Sequence, residues 1–596
     1  MYPPTAVGGI HLNGFEVYRK PLYNWPCLKI ECRSKFVLLC VTILLVSSTV
    51  RAQTDTKKEA AELKKTLALL NEIASASWGL KLAENRVYIM ASTADLLWPF
   101  DDKRARNLYW EALNSIVPTG PPNRKAGETS QPYSLTLRMR RRVLLQAAHR
   151  DTQLALAMLQ ASRQVSLGPE SSPAEERWLE QEIAGQIAAR DPTQALQLAR
   201  ESLAKGVTFQ LANLLQQLQH LDIEKASVFA GEIITRLQTT NVATNLNASL
   251  IALYLVQDSR ARELRAGELK PLSLTDDQKR QLIEILTSAA LSASSNSNLL
   301  FEINEVMPEI EQFFPERRAA LERKLAAFNE TLSKDQRDQN TQNTLIRRGR
   351  QEDLVRVAAS ADNNTLDHLY QQAAIIAVAR GNTDAFREFL SREVSDNGNR
   401  GKALDYLDAE EISTAAGRKQ LDQLRKLLPK IERKEERARA MAELAVLLKE
   451  KGEDAEAVTL LDEAATMIKS NLKDEKQTNA LLSLLCAYAV VDPAKAFALA
   501  ERTVDRANSQ ISLLMLLDRV VKSGAVKKSE IILDQAGIMP LDNLVFKYGK
   551  GVAALAKSDF NRTKALADRF DRNELRLLAQ LLIVKGLLQP SDVAQQ

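Results

Sequence analysis

Residue types that bind metals or act as nucleophiles are few and widely separated in this sequence. Beyond residue 52 the chain has three histidines, His149, His220 and His368, and one cysteine, Cys486, and no two have metal-ligand spacing. Cys486 lies in the apolar stretch ALLSLLCAYAV, which is typical of a buried structural cysteine. Phosphate-binding glycine loops and nucleophile-elbow motifs are absent. The sequence therefore predicts a protein with no metal, no cofactor and no catalytic residue, and thus not an enzyme.

Two pairs of adjacent aspartates have the chemistry to bind Mg²⁺ or to act as acid and base. They are Asp101-Asp102 and Asp276-Asp277, and each pair directly precedes a helical pattern. An aspartate in that position accepts hydrogen bonds from the free N–H groups of the first helical turn. We interpret both pairs as residues that begin helices.

The first third of the chain holds the side chains best suited to contact a partner. RMRRRVLLQ, from Arg138 to Gln146, is the densest basic cluster, and it suits an acidic partner or phosphate groups. The favoured alternative is the solvated face of a helix that buries Val143, Leu144 and Ala147. The tryptophans of LLWPFDDKRARNLYWEAL could form a surface that recognises a partner. The favoured interpretation is that they pack between helices. The candidate partner contacts are Trp98, Trp110, Arg138, Arg140, Arg141 and Arg142.

The elements that position these residues are predicted to be helices. The chain is rich in Ala, Leu, Arg, Gln and Glu, and few runs alternate apolar and polar residues as a strand does. The phrase Asp-Pro-x-x-Ala followed by an apolar stripe occurs at Asp191 and again at Asp492. In each copy the aspartate can cap a helix that begins at the proline, and Ala195 or Ala496 falls on its apolar face. Helix, tight turn, helix is the predicted unit.

This unit recurs along the chain. In the C-terminal half the turns fall near residues 349, 381, 417, 452, 492, 524 and 559, with a mean spacing of 35 residues. Such a period is typical of a helical solenoid. The period lapses between residues 276 and 345, which predicts an irregular helical seam between two arrays, 85–275 and 346–585. An N-terminal helix is expected at 53–84 and a tail at 586–596.

One unit resembles a tetratricopeptide repeat. In the stretch from Ala440 to Lys469, Leu444, Ala445 and Leu448 take the packing positions of the first helix, and Gly452 takes the turn. The core positions of the second helix are matched by Ala457, Leu461 and Ala464. The resemblance implies an all-α fold, a right-handed superhelical solenoid, whose concave face binds a peptide or a protein.

The N-terminal 52 residues are predicted to be a leader. The apolar run FVLLCVTILLVSSTV (Phe36 to Val50) follows basic residues, and Val50-Arg51-Ala52 predicts cleavage before Gln53. An uncleaved membrane anchor is the alternative, and contact with a membrane is expected only in that case. The leader holds six of the chain's 80 basic and two of its 75 acidic side chains. The remainder therefore has 74 and 73, a net charge of +1, which offers no case for nucleic-acid binding.

These observations favour a non-catalytic, extracytoplasmic scaffold, periplasmic or secreted, that binds a protein or peptide partner. The alternative is an all-α enzyme, a toroid or superhelix of helix pairs, that acts on cell-envelope glycans. Such enzymes usually carry sugar-stacking aromatic residues and paired carboxylates, whereas the chain beyond residue 52 has no tryptophan after Trp178.

Overall fold

The protein is all-α in the part of the chain that the structure describes, as the sequence predicts. The computed structural model describes residues 60–116, 131–164, 173–260, 269–294, 299–333, 350–359, 361, 363–468, 475–521, 526–533 and 541–588. Within these ranges the only sheet is a short antiparallel hairpin of β1 (Val526–Lys527) and β2 (Glu530–Ile531). The predicted leader, 1–52, lies outside the described residues.

The described chain before residue 333 consists mainly of helices. They are α1 (60–77), α2 (Ala83–Leu97), α3 (Asp102–Ile116), α4 (Gln131–Arg150), α5 (Thr152–Gln164), α6 (Pro173–Ile187), α7 (Pro192–Lys205), α8 (Leu211–Leu221), α9 (Ile223–Gln238), α10 (Leu246–Asp258), α11 (Asp276–Ser292), α12 (Leu299–Glu302), α13 (Met307–Phe313) and α14 (Pro315–Thr331). A 3₁₀ turn, Ile303–Val306, joins α12 to α13.

The helices after residue 350 follow the same pattern. They are α15 (Gln351–Ala358), α16 (Asn363–Arg380), α17 (Thr383–Glu393), α18 (Asn397–Gly417), α19 (Leu421–Leu427), α20 (Lys434–Lys451), α21 (Asp454–Met467), α22 (Glu475–Val491), α23 (Pro493–Val521), α24 (Leu541–Ser558), α25 (Phe560–Asp568) and α26 (Asn573–Leu588). A 3₁₀ turn, Leu428–Lys430, follows α19.

Many of the helix starts use the aspartate caps that the sequence predicts. The carboxylates of Asp191 and Asp492 accept the N–H groups of Gln194 at 3.0 Å and Lys495 at 3.3 Å. Asp222 and Asp559 cap α9 and α25 in the same way. An unpaired N–H at a helix start costs free energy, so each cap both satisfies a donor and fixes where the helix begins.

Two of the predicted glycine turns are confirmed, and a third differs in detail. Gly381 and Gly452 end α16 and α20 with φ of 68° and 85°, a left-handed conformation that glycine adopts without a Cβ clash. After α18 the left-handed residue is Lys419, with φ 53°, rather than Gly417. The predicted turns at Gly349 and Gly524 lie outside the described residues.

The helices lie in two layers. Even-numbered helices contact the next even-numbered helix in order from α2 to α10 and from α16 to α26. Odd-numbered helices make the second layer, in which α3 contacts α5, α7 contacts α9, and α23 contacts α25. The alanines of the repeated phrase, Ala195 and Ala496, are fully buried, as is Ala457. A small side chain at these positions lets neighbouring helices approach closely.

The first and last described helices pack against each other. α2 contacts α26, and the largest apolar cluster joins buried residues of α1–α14 to residues of α24–α26. In the odd layer Lys564 of α25 lies 3.0 Å from the Glu72 carboxylate of α1. The row of helices therefore continues from the end of the chain into its beginning, so α1 and α2 lie beside α25 and α26.

The β-hairpin joins these two ends through hydrogen bonds. The Glu530 carboxylate accepts the N–H of Lys81 at 2.6 Å, the N–H of Leu82 at 3.1 Å and the side-chain amide of Asn85 at 3.2 Å. Leu82 is the N-cap residue of α2 and caps nothing with its own side chain. Glu530 thus caps α2 from a position 448 residues away in sequence.

Some predicted boundaries are shifted by the structure. The helix expected at 53–84 ends at residue 77, and the tail expected from 586 begins later because α26 continues to Leu588. The expected irregular seam contains α11–α14, whose buried residues belong to the same apolar cluster as α1–α10. The division into two arrays stays a prediction. No described helix has both the length and the apolar character needed to cross a bilayer, and residues 36–50 were not among those described.

Candidate functional site

The two candidate tryptophans pack against the core of the first helices. Trp98, at the end of α2, is half-buried with its ring centroid 6.2 Å from that of Tyr109. The Arg106 guanidinium lies 4.8 Å from the Trp98 ring, which covers its outer face with a cation–π contact. Trp110 is also half-buried and packs against the same apolar cluster. Both tryptophans therefore have the packing contacts that the favoured interpretation expects.

The candidate arginines are used largely within the protein. Arg140 is 3% exposed and forms a bidentate ion pair with Glu176, so its guanidinium is already used within the protein. Arg141 pairs with Glu182 and lies 4.5 Å from the Trp178 ring, and Arg142 lies 4.2 Å from the Tyr88 ring. Arg138 is exposed. The helix buries Val143, Leu144 and Ala147 as predicted, but most of its basic face packs on α2 and α6.

Electrostatics around Glu176 agree with a structural role. Burial alone would raise the pKa of Glu176, but hydrogen bonds and charges from Arg140 and Arg163 outweigh it and lower the pKa. Glu180, which is 1% exposed, accepts hydrogen bonds from Arg163 and from Lys205 at the end of α7. These pairs connect α4, α5, α6 and α7.

Of the two aspartate pairs, the first provides the helix cap that the sequence predicts and the second does not. Asp101 accepts the N–H of Arg104 at 2.9 Å and begins α3. Thr275 caps α11, and the pair Asp276-Asp277 occupies its first turn. Within the described ranges no three His, Cys, Asp or Glu residues are grouped so that they could hold a metal ion.

A second charged cluster, which the sequence analysis did not identify, lies on the even-numbered layer of the C-terminal helices. Asp405 of α18 pairs with Arg433 at 2.6 Å and with Lys476 at the start of α22. Glu450 at the end of α20 pairs with Lys419 at 3.1 Å and with Lys550 of α24 at 2.8 Å. Each of these carboxylates therefore links even-numbered helices that are two places apart. We call the surface formed by α18, α20, α22 and α24 the inner face.

Below this surface, Arg387 of α17 pairs with two buried carboxylates of α18. Its guanidinium lies 2.6 Å from Asp408 and 2.7 Å from Glu411. Burial raises the pKa of Asp408 to about 6, although the Arg387 charge acts in the opposite direction. Burial also raises the pKa of Asp405, against the effect of Lys476 and Arg433. Desolvation dominates at both carboxylates, which places them inside the layer.

One partly exposed region of the inner face is a narrow, largely polar stripe on α20. Glu435, Arg439, Glu443, Val446 and Glu450 recur at helical spacing, while most other positions of the helix are buried. Burial raises the pKa of Glu443, with Arg439 and Lys550 acting in the opposite direction. Glu443 is nevertheless exposed to solvent. The stripe carries three carboxylates, those of Glu435, Glu443 and Glu450, which are hydrogen-bond acceptors.

The helical spacing of Glu435, Arg439, Glu443 and Glu450 is visible in the sequence and could have identified this stripe. Which layer it belongs to depends on packing that the sequence does not reveal. Comparisons with models of protein families, with curated proteins and with solved structures found no match to this chain.

Proposed function

We propose that the protein is a non-catalytic helical-repeat scaffold that binds a protein or peptide partner on its inner face. In this proposal the tetratricopeptide-like helix pairs curve with the even-numbered helices on the concave side. Because α2 contacts α26, the row closes on itself rather than forming an open right-handed superhelical solenoid. The leader directs the scaffold to an extracytoplasmic location, the periplasm or the medium. The partner is not a nucleic acid, because the chain beyond the leader carries a net charge of only +1.

The observation that carries the proposal is the contact between helices two places apart. Packed helix axes are separated by about 8–10 Å, so in a straight row the second neighbour lies about 16–20 Å away. Lys550 nevertheless reaches Glu450 across α22, and Lys476 reaches Asp405 across α20. Both pairs lie in the even-numbered layer, which is the expected result if the row bends toward that layer. A concave surface of this kind is how helical arrays commonly bind extended partners.

The test is site-specific crosslinking from the two layers. A photoreactive amino acid replaces Glu443 on the inner face or, as the control, Thr459, which is exposed on α21. Crosslinking in the cell that produces the protein is expected to give a discrete adduct from position 443 and none from position 459. Equal adducts from both positions, or none from position 443, would overturn the proposal.

The proposed extracytoplasmic location of the protein is tested separately by measuring its intact mass. Intact protein from the envelope or the medium is expected to lack residues 1–52 and to begin at Gln53. A mature species that retains Phe36 to Val50 would contradict cleavage.

A further inference from the structure

A cleft of about 380 Å³ lies between α9 and α11, away from the inner face. It is bounded by the last turn of α9, by the connection that follows it, and by an exposed stripe of α11. That stripe consists of Gln281, Glu284, Ile285, Ser288 and Ser292, which recur at helical spacing. The volume falls within the range of about 300–1,000 Å³ that is usual for ligand pockets.

The floor of the cleft is apolar. Leu237, Val242 and Ala289 are 0%, 4% and 8% exposed, and half-buried Ile285 packs beside them. No aromatic ring lines the cleft, so it lacks the flat surface on which a sugar or a nucleobase stacks. The floor therefore suits a small aliphatic group.

The rim of the cleft is polar and almost uncharged. Gln238 donates to the side-chain carbonyl of Gln281 at 3.2 Å, which joins α9 to α11 across one edge. Asn241 and Thr240 of the connection also line the cleft. The single ionisable lining group, Glu284, accepts a hydrogen bond from Arg317 of α14 at 3.3 Å. A rim of this kind does not attract phosphate or another strongly charged ligand.

We infer that the cleft binds a short extended peptide segment that inserts one small aliphatic side chain. This inference rests on the proposed function, because it gives the scaffold's peptide or protein partner a second contact, outside the inner face. A side-chain amide presents a donor and an acceptor together, as a peptide unit does, so Gln238, Gln281 and Asn241 can pair with an extended backbone. The apolar floor then receives the side chain between those peptide units.

The test uses the full-length protein and synthetic capped pentapeptides, Gly-Gly-X-Gly-Gly, with X either Val or Asp. Methyl resonances of Val242 and Ile285 report occupation of the floor. The Val peptide is expected to shift both resonances in a saturable way, and the Asp peptide to bind at least tenfold more weakly. Gln281→Ala is expected to weaken the Val peptide about three- to tenfold, the effect of one neutral hydrogen bond.

Blocking variants complete the test. Ser288→Phe and Ser292→Phe place a ring in the cleft from two exposed positions and are expected to abolish the shifts. Ser391→Phe, at an exposed position on α17, is the matched control and is expected to bind normally. Absence of saturable shifts in the wild-type protein, or normal binding by both blocking variants, would overturn the inference. If crosslinking from position 443 succeeds while the cleft binds no peptide, only the cleft assignment fails.

Discussion

Replacing Glu530 by Ala is expected to loosen both ends of the chain at once. The substitution removes the acceptor for the N–H groups of Lys81 and Leu82 and for one amide hydrogen bond of Asn85. Loss of a helix N-cap costs about 0.5–2 kcal/mol, and loss of a hydrogen bond to a charged acceptor costs about 1.5–3 kcal/mol. Because the Asn85 amide still donates to the Ile531 carbonyl at 2.8 Å, we expect about 2–4 kcal/mol in all.

Hydrogen exchange measures this effect locally, which suits a chain of this length because its helices need not unfold together. A loss of about 2–4 kcal/mol corresponds to exchange roughly 30- to 1,000-fold faster in protected amides. The increase is expected in α2 and also in α26, because Glu574 of α26 accepts the N–H of Ile531 at 3.0 Å.

The matched control is Lys527→Ala in the same hairpin. Lys527 makes only an exposed ion pair with Glu84, at 3.2 Å, so its loss is expected to change stability by less than about 1 kcal/mol. Faster exchange in α2 with unchanged exchange in α26 would refute the reasoning, because Glu530 would then act as a local cap and nothing more.

Three further predictions follow from packing and charge. Ala457→Leu overfills a fully buried site and is expected to lower the free energy of unfolding by about 1–3 kcal/mol. The loss is measured as faster hydrogen exchange over residues 440–500, and unchanged exchange there would contradict the prediction. The control, Ala455→Leu, lies on the exposed face of the same helix and is expected to be tolerated. Gly551→Ala would place a Cβ 2.7 Å from the Cα of Cys486 and is expected to lower the melting temperature. The control, Gly417→Ala, would place a Cβ with no atom within 4 Å and is expected to leave the melting temperature unchanged. Equal melting temperatures for the two variants would contradict the close approach of α22 and α24. The pKa of Asp408 is raised to about 6 from an unfolded value of about 4, so its contribution to folding is present below pH ~4 and is lost as the pH rises to about 6. Asp408→Asn is therefore expected to make the slope of unfolding free energy against pH more positive in that window, and an unchanged slope would refute the raised pKa.

Local features of the fold could be predicted because their causes lie close together in sequence. Asp191 and Asp492 cap helices three residues before the N–H groups they accept, and the burial of Ala195 and Ala496 follows from helical spacing. The all-α class follows from composition for the same reason. Propensity, caps and periodicity are all properties of short segments.

The remaining features depend on distant partners. Arg140 belongs to a basic run whose sequence suggests an exposed surface. It is nevertheless buried, because Glu176 and Ser162 accept its hydrogen bonds from other helices. Nothing in the sequence around Asn85 indicates that Glu530 and Ile531 contact it. The stripe on α20 has a visible period, but its place among α18, α22 and α24 depends on contacts between helices that are distant in sequence. Long-range pairing of this kind has no local signature.

The packing of α2 against α26 also has a consequence for how the chain is made. Synthesis proceeds from the N-terminus at about 5–20 residues per second, and about 490 residues separate the two helices, so α2 waits roughly 25–100 s for its neighbour. During that time the surface of α2 that α26 will cover is open to misassembly. A nascent or truncated chain that lacks residues 573–588 therefore presents an apolar surface that the finished protein hides.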